Sequence, residues 1–220
     1  MNTQLFKVFK NLSQAVFAIL LFGLANSSFA TEVNNPQLLL EKVTNTTFTR
    51  IDLEKQSIEA NPEHLRTIIE QELMPYIDHK FAAFKVLGKQ FKSVPKQQIP
   101  EYVEQFRQYL ISNFAVALAN YGGQELIFEP VKDSANAKSM AIKAIIRQAG
   151  YPDINIQFKL RKNSKTQEWK TYDLVAEGIS LLSSKQTEFA SLIRQQGIQA
   201  VIDVMKAKNS EPLELAKNSN

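Results

Sequence analysis

The chain has 220 residues, 44% of them hydrophobic and 22% charged, with a formal net charge of +4 and no cysteine; this composition fits one globular domain of ordinary size. Without cysteine there are no disulfides, no thiol nucleophile and no cysteine-ligated metal. The basic residues form no contiguous Lys/Arg run, so no nucleic-acid partner is expected.

Residues 1–30 read as a signal peptide. Lys7 and Lys10 supply its positive start, "AVFAILLFGLA" from Ala15 to Ala25 its apolar core, and Ser28 and Ala30 the small residues before a cleavage site. The apolar run is about ten residues, half of the roughly 20 that cross a bilayer, so no membrane anchor is expected. No cysteine follows Ala30, which removes the lipoprotein option. Cleavage after Ala30 takes away two lysines and no acid, leaving 24 basic and 22 acidic residues and a charge of +2.

From Asn35 to Tyr121 apolar residues recur at three and four, the period of amphipathic helices. Pro36 suits a first helical turn, and Leu40, Val43, Thr47 and Ile51 follow on one face. "ANPEHLRTIIEQELMPYID" starts a second helix with Asn61 as N-cap and Pro62 just inside; Leu65, Ile68, Ile69 and Leu73 form its stripe, and Pro75 kinks or ends it. Ile77, Phe81, Phe84, Leu87 and Phe91 continue the pattern. A long helix then opens between Pro95 and Pro100. It carries Val103, Phe106, Leu110, Phe114, Ala117, Leu118 and Tyr121 on one side and stops at "YGG".

After Gly123 the period becomes two. Gln124–Val131 and Ser139–Gln148 read as strands, and in "DINIQFKLRK" Ile154, Ile156, Phe158 and Leu160 alternate with Asn155, Gln157, Lys159 and Arg161. The turn-rich "RKNSKTQE" leads into a fourth strand, "EWKTYDLVAEGISLL". Phe189, Leu192 and Ile193, then Ile198, Val201, Ile202 and Met205, predict helix either side of Gly197. The order predicts an α+β domain over residues 31–209, with a four-stranded antiparallel sheet and helices on one face. Residues 210–220 are a polar tail expected to fray.

Chemistry is sparse. His64 and His79, the two histidines, have no third ligand patterned nearby and no HExxH, so both read as surface or packing residues. No GxxxxGK[ST], GxGxxG or GxSxG occurs, which leaves no nucleotide cradle and no nucleophile elbow. The fourth strand carries two carboxylates. In a regular strand Trp169, Thr171, Asp173, Val175 and Glu177 share one face, while Tyr172, Leu174 and Ala176 share the other. Four residues at about 3.3 Å each set the Cα atoms of Asp173 and Glu177 roughly 13 Å apart. Working glycosidase pairs stand about 5–9.5 Å apart, so a half-solvated strand face is expected instead of a catalytic pair. A single carboxylate acting as general base against an apolar pocket is the alternative.

Three blocks are long and distinctive: "ANPEHLRTIIEQELMPYID", "EQFRQYLISNFAVALANYGGQ" and "RKNSKTQEWKTYDLVAEGIS". On them the chain resembles the MlaC, or toluene tolerance, family of periplasmic phospholipid-binding proteins, of the system that maintains outer-membrane lipid asymmetry. The resemblance runs through nearly all of the mature chain. It implies a soluble periplasmic carrier with no enzymatic activity, cofactor or metal. Such a carrier passes phospholipid between an outer-membrane lipoprotein–porin complex and an inner-membrane ABC transporter with an MCE-domain ring. It also implies a nuclear-transport-factor-like cone, in which a curved four-stranded antiparallel sheet and helices enclose an apolar cavity for acyl chains. The lipid-binding candidates are Leu87, Phe91, Phe106, Leu110, Phe114, Leu118, Ile142, Phe158, Leu174 and Ile179. Phe114 and Ile179 match apolar or aromatic positions of the family motifs; the others rest on face periodicity. Lys85, Lys92 and Arg161 are candidates to meet the lipid phosphate.

Two other readings stay open on sequence grounds. An isomerase or dehydratase of the same cone fold would set Asp173 or Glu177 at the pocket floor. An adaptor that binds only proteins would have a filled core. In the carrier reading, Tyr172 and Leu174 turn toward the lipid and the two carboxylates turn away.

Overall fold

The computed structural model of the protein describes residues 35–131 and 137–215. The signal peptide, its cleavage site after Ala30 and the end of the polar tail at 216–220 lie outside the described residues.

Asn35 caps α1 (Pro36–Leu53), its side-chain oxygen accepting from the amides of Gln37 and Leu38, and Pro36 opens the first turn. The buried face is the expected one, with Leu40, Val43, Thr47 and Ile51. A short α2 (Lys55–Ala60), absent from the sequence reading, carries the chain to Asn61. The next helix, α3 (His64–Glu72), starts later than expected. The amides of His64 and Leu65 donate to the carbonyls of Asn61 and Pro62, each at 3.0 Å, so a tight turn rather than the Asn61 side chain uses the first donors. Pro75 ends this unit in a 3-10 turn, Met74–Tyr76.

Asp78 caps α4 (His79–Leu87), accepting from the Phe81 amide at 3.1 Å. The expected stripe of Phe81, Phe84, Leu87 and Phe91 is not the buried face: α4 buries Ala82, Ala83, Val86 and Leu87, and Phe84 is exposed. Gly88 takes a φ of 50° and a 3-10 segment, Gly88–Ser93, follows, so the winding tightens and Phe91 leaves the line of Leu87. The positive φ favours glycine at this position, and a Cβ would also meet the movable end of Gln186, 2.1 Å from Nε2.

Beyond a 3-10 turn at Lys96–Gln98 comes α5 (Ile99–Ala119), the central helix. It is buried on two sides, not along the single stripe read from its period. Tyr102, Phe106 and Tyr109 pack with α4 and the last two helices, whereas Ile111, Ala115 and Ala119 pack with α1 and α3. Leu110 touches both clusters.

The sheet is antiparallel and open, in the order β1 (Glu125–Phe128), β2 (Ser139–Arg147), β3 (Ile154–Lys162), β4 (Trp169–Ala176), β5 (Ile179–Ser180). It has five strands where four were expected. Glu177 and Gly178, at φ 49° and 79°, form a two-residue turn that folds β5 back onto β4. The rest of the β4 edge is covered by Ile77, which bridges to Thr171 in parallel, while the Asp78 amide donates to the Thr171 carbonyl at 2.8 Å.

A bulge also interrupts β4. Lys159 pairs with Asp173 and Leu160 with Thr171, which leaves Tyr172 without a partner on β3. The extra residue overturns the expected alternation: Thr171 shares a face with Leu174, and Tyr172 does not.

The last two helices, α6 (Leu181–Gln196) and α7 (Ile198–Asn209), meet at Gly197 as expected. The chain then stays on the body instead of fraying at residue 210. Leu213 is buried, its amide donates to Glu63 Oε1 at 2.7 Å, and Arg66 Nη2 donates to the Glu211 carbonyl at 2.9 Å. Among the described residues no helix is long and apolar enough to cross a membrane, and no cluster of His, Cys, Asp or Glu is arranged to hold a metal.

Two outcomes follow from this packing. Gly88→Ala should cost about 1 kcal/mol or more in a urea melt, because backbone strain adds to the clash; a second change, Gln186→Ala, should return part of that loss. Burial, reinforced by Arg107 and Lys80, holds the His79 imidazole below its ordinary value of 6.5. The unfolded chain therefore binds this proton more readily than the folded one. The His79 penalty is absent above that pH and grows as the pH falls through and below it. His79→Gln should flatten that part of the stability–pH curve.

Candidate functional site

Cross-strand pairing builds one apolar face of the sheet. Ile142, Phe158 and Leu174 lie side by side; Phe128, Ala144, Ile156 and Ala176 form the adjoining row, and Leu126, Ile146 and Ile154 the one after. On the other flank Met140, Leu160 and Thr171 complete the face, with Thr171 the one hydroxyl in these rows. Ile142, Ala144, Ile156 and Leu160 are buried, while Phe128, Phe158 and Leu174 are half-buried.

The two ends of this face differ. At the Met140 end Leu39 and Leu40 of α1 pack on it together with Trp169, and the Val131 amide donates to Gln37 Oε1 at 2.9 Å. At the β5 end the face runs out to solvent. Ile154 is 45% exposed, and Ile179, which pairs with Ala176, is 62% exposed. Tyr151, ahead of β3, and Leu181, the residue after β5, are also exposed. An apolar surface sealed at one end and open at the other can receive an acyl chain lengthwise.

The ten candidates are not brought together as one lining. Ile142, Phe158 and Leu174 share the sheet face, with Ile179 at its open margin. Phe114 and Leu118 are half-buried against the α1–α3–α5 cluster, near the stacked rings of Phe48 and Tyr121, whose centroids are 4.5 Å apart. Leu110 lies between the two helical clusters. Leu87 and Phe106 are buried within the core of α4, α5, α6 and α7. Phe91 stands on the outside, edge-to-face with Phe84 at 5.4 Å. Sequence reading missed Phe128, Ala144 and Ala176 on the sheet face. Their signal was the alternation itself, but the pairing register that assembles them is not written in any one strand.

The carboxylates have structural partners. The Asp173 side chain is 3% exposed. Its Oδ2 accepts from Lys159 Nζ at 3.0 Å and from Ser180 Oγ at 2.7 Å, and its Oδ1 from the Leu182 amide at 3.1 Å, in the first turn of α6. Three of its roughly four lone-pair sites are thus taken by the protein's own donors, with Lys159 as counter-ion, which is the setting of a structural carboxylate. Glu177 lies exposed in the β4–β5 turn: its Oε1 accepts from the Asn155 amide, and its own amide donates to the Asn155 carbonyl at 2.9 Å.

Of the remaining polar candidates, Tyr172 and Arg161 are engaged within the protein and Lys92 is not. Tyr172 turns to Phe81 of α4, edge-to-face at 5.1 Å, and so does not join Leu174. Arg161 donates to Asp78 Oδ2 at 2.8 Å and covers the Phe81 ring at 4.2 Å. Lys85 is 5.5 Å from the same ring, and Lys92 is exposed. His64 pairs with Glu54, whose carboxyl is held below the usual carboxylate range by Arg50 and then by His64.

Both the sequence and the fold have counterparts among known proteins. The family model described as MlaC protein matches residues 41–207. The intermembrane phospholipid transport system binding protein MlaC of Haemophilus influenzae is 32% identical over 180 residues, 81% of this chain and 84% of that protein. Toluene tolerance protein ttg2D of Pseudomonas putida is 23% identical over 171 residues, 75% of this chain and 77% of that one. A phospholipid-binding protein from Ralstonia solanacearum, solved in complex with a phospholipid, has a TM-score of 0.68 at 19% identity. It covers 78% of this chain and 94% of its own, and so shares the fold. With the family model running from α1 through the sheet into α7, and a relative nearly one-third identical along most of its length, the chain belongs to the MlaC family.

Proposed function

We propose that the protein is a periplasmic phospholipid carrier, exported behind a signal peptide that is cleaved after Ala30. It shuttles lipid between an outer-membrane lipoprotein–porin complex and an inner-membrane MCE-domain ABC transporter. Acyl chains lie along the apolar sheet face against Ile142, Phe158 and Leu174, entering past Ile154 and Ile179. Leu110, Phe114 and Leu118 of α5 supply the helical side, so that sheet and helices close around the lipid as a cone with the head group at the rim. The supporting observation is the apolar face that is covered by α1 at one end and open at the other, in a member of the MlaC family.

The energetics fit a carrier without an energy source. Each buried methylene is worth about 0.8 kcal/mol, so two long acyl chains would forfeit roughly 20 kcal/mol in water. Passing from a bilayer to an apolar protein face exchanges one apolar surrounding for another, and that cost largely disappears. ATP is then needed only by a partner. The enzyme reading has no comparable support, because Asp173 and Glu177 are committed to internal hydrogen bonds.

Organic extraction and mass spectrometry of the mature protein, purified from a periplasm without detergent, should yield stoichiometric phospholipid. A protein that comes out empty and takes no lipid from vesicles rejects the carrier. Leu174→Asp should cut bound lipid per folded molecule roughly tenfold or more, because a carboxylate on this face would be desolvated by an acyl chain. Asp173→Asn should keep its lipid yet lose about 1.5–3 kcal/mol of stability, the worth of hydrogen bonds to a charged group.

A further inference from the structure

Between His79 and Pro100 the chain carries five lysines, Lys80, Lys85, Lys89, Lys92 and Lys96, and no acidic residue. The rest of the mature chain is therefore slightly acidic, and positive charge is concentrated on α4 and the 3-10 segments after it. All five lysines are exposed, and among the described residues none of them takes part in an ion pair. Among them stand Phe84 and Phe91, 41% and 43% exposed. Gly88 ends α4 between them, and Phe91, in the 3-10 segment that follows, packs edge-to-face with Phe84. Beside the pair runs a groove of about 430 Å³, lined by Phe81, Phe84, Lys85, Gly88, Lys89 and Gln186.

We propose that this surface docks the protein on an anionic phospholipid bilayer. Exposed aromatic rings are favoured at the head-group level, and clustered lysines are drawn by the negative potential of anionic lipids. The charge is carried by lysine alone. Its ammonium is a point charge on a flexible stem, unlike the planar arginine fork that fixes the register of a carboxylate. A diffuse positive field around two protruding rings suits a fluid array of phosphates better than the fixed pairs of an acidic protein. For a carrier, the contact would hold the protein at its source of lipid. That purpose rests on the carrier reading; the docking itself does not.

The test is co-sedimentation of the mature protein with vesicles of phosphatidylcholine alone or mixed with phosphatidylglycerol, at low and high salt. Sedimentation is expected only with phosphatidylglycerol present, and it should fall as salt rises. Each lysine removed should weaken partitioning about fivefold, so Lys85→Gln, Lys89→Gln and Lys92→Gln together should weaken it on the order of 100-fold. Phe84→Ser with Phe91→Ser should weaken it as well, and the lysine variant, altered only at exposed side chains, serves if that pair disturbs folding. Equal sedimentation with both vesicles, none with either, or no effect of the lysine changes would overturn the proposal. Lysine-dependent retention on polyglutamate without vesicle binding would overturn it in favour of an acidic protein partner. Bound phospholipid measured on the same samples separates the two claims: lipid without docking removes only this proposal, and docking without lipid removes only the carrier.

Discussion

One buried carboxylate joins the sheet to the C-terminal helices. Asp173 takes Lys159 from β3, Ser180 from β5 and the opening amide of α6 through Leu182. A negative charge at a helix start is favoured by the helix dipole, and it satisfies a donor that has no partner within the helix. Lys159 balances the charge, so the group can be buried. The direction in which α6 leaves the sheet is set there. From α6, Phe189 and Ile193 reach the core shared with α4, α5 and α7, and Gln186 reaches back to the Lys85 carbonyl near the end of α4.

The bulge at Tyr172 makes that arrangement compatible with an apolar face. Side chains alternate along a strand, so a one-residue slip exchanges the two faces. The extra residue sends Tyr172 to Phe81 and Asp173 to Lys159, and keeps Leu174 beside Phe158. The margin of β4 is closed by Ile77, Asp78 and β5, with Arg161 bound to Asp78. The polar bonds thus gather at the margins and on the opposite face, and the rows from Met140 to Ile154 stay almost wholly hydrocarbon.

The central helix has a comparable double duty. Burial of α5 on two sides ties α1 and α3 to α4, α6 and α7, leaving Leu110, Phe114 and Leu118 only partly covered. A rigid frame with a few incompletely packed apolar side chains differs from a fully filled core. In the carrier reading this is where the frame yields space to acyl chains without unfolding.

The family and most of the elements were legible in the sequence, though not the short α2, the start of α3 or the fifth strand. Helical period, Pro36 in a first turn and the stops at Pro75 and Gly197 are local, because they depend on residues within one turn of each other, and they were legible. So was the period-two run from Ile154 to Leu160. The Asn35 cap was not read, and Asn61 was read as a cap where a tight turn stands. The motif blocks identified the family because each spans a whole element and its turns. Only tertiary structure decided the fifth strand, the bulge at Tyr172, the break after Leu87 and the partners of Asp173. Periodicity says which face of an element is apolar but not which neighbour arrives to cover it. Glu177 and Gly178 form a hairpin because β4 is there to pair with β5, and Gly88 ends a helix where the side chain of Gln186 approaches from α6. The sheet face that is proposed to hold lipid exists only once five strands are in register.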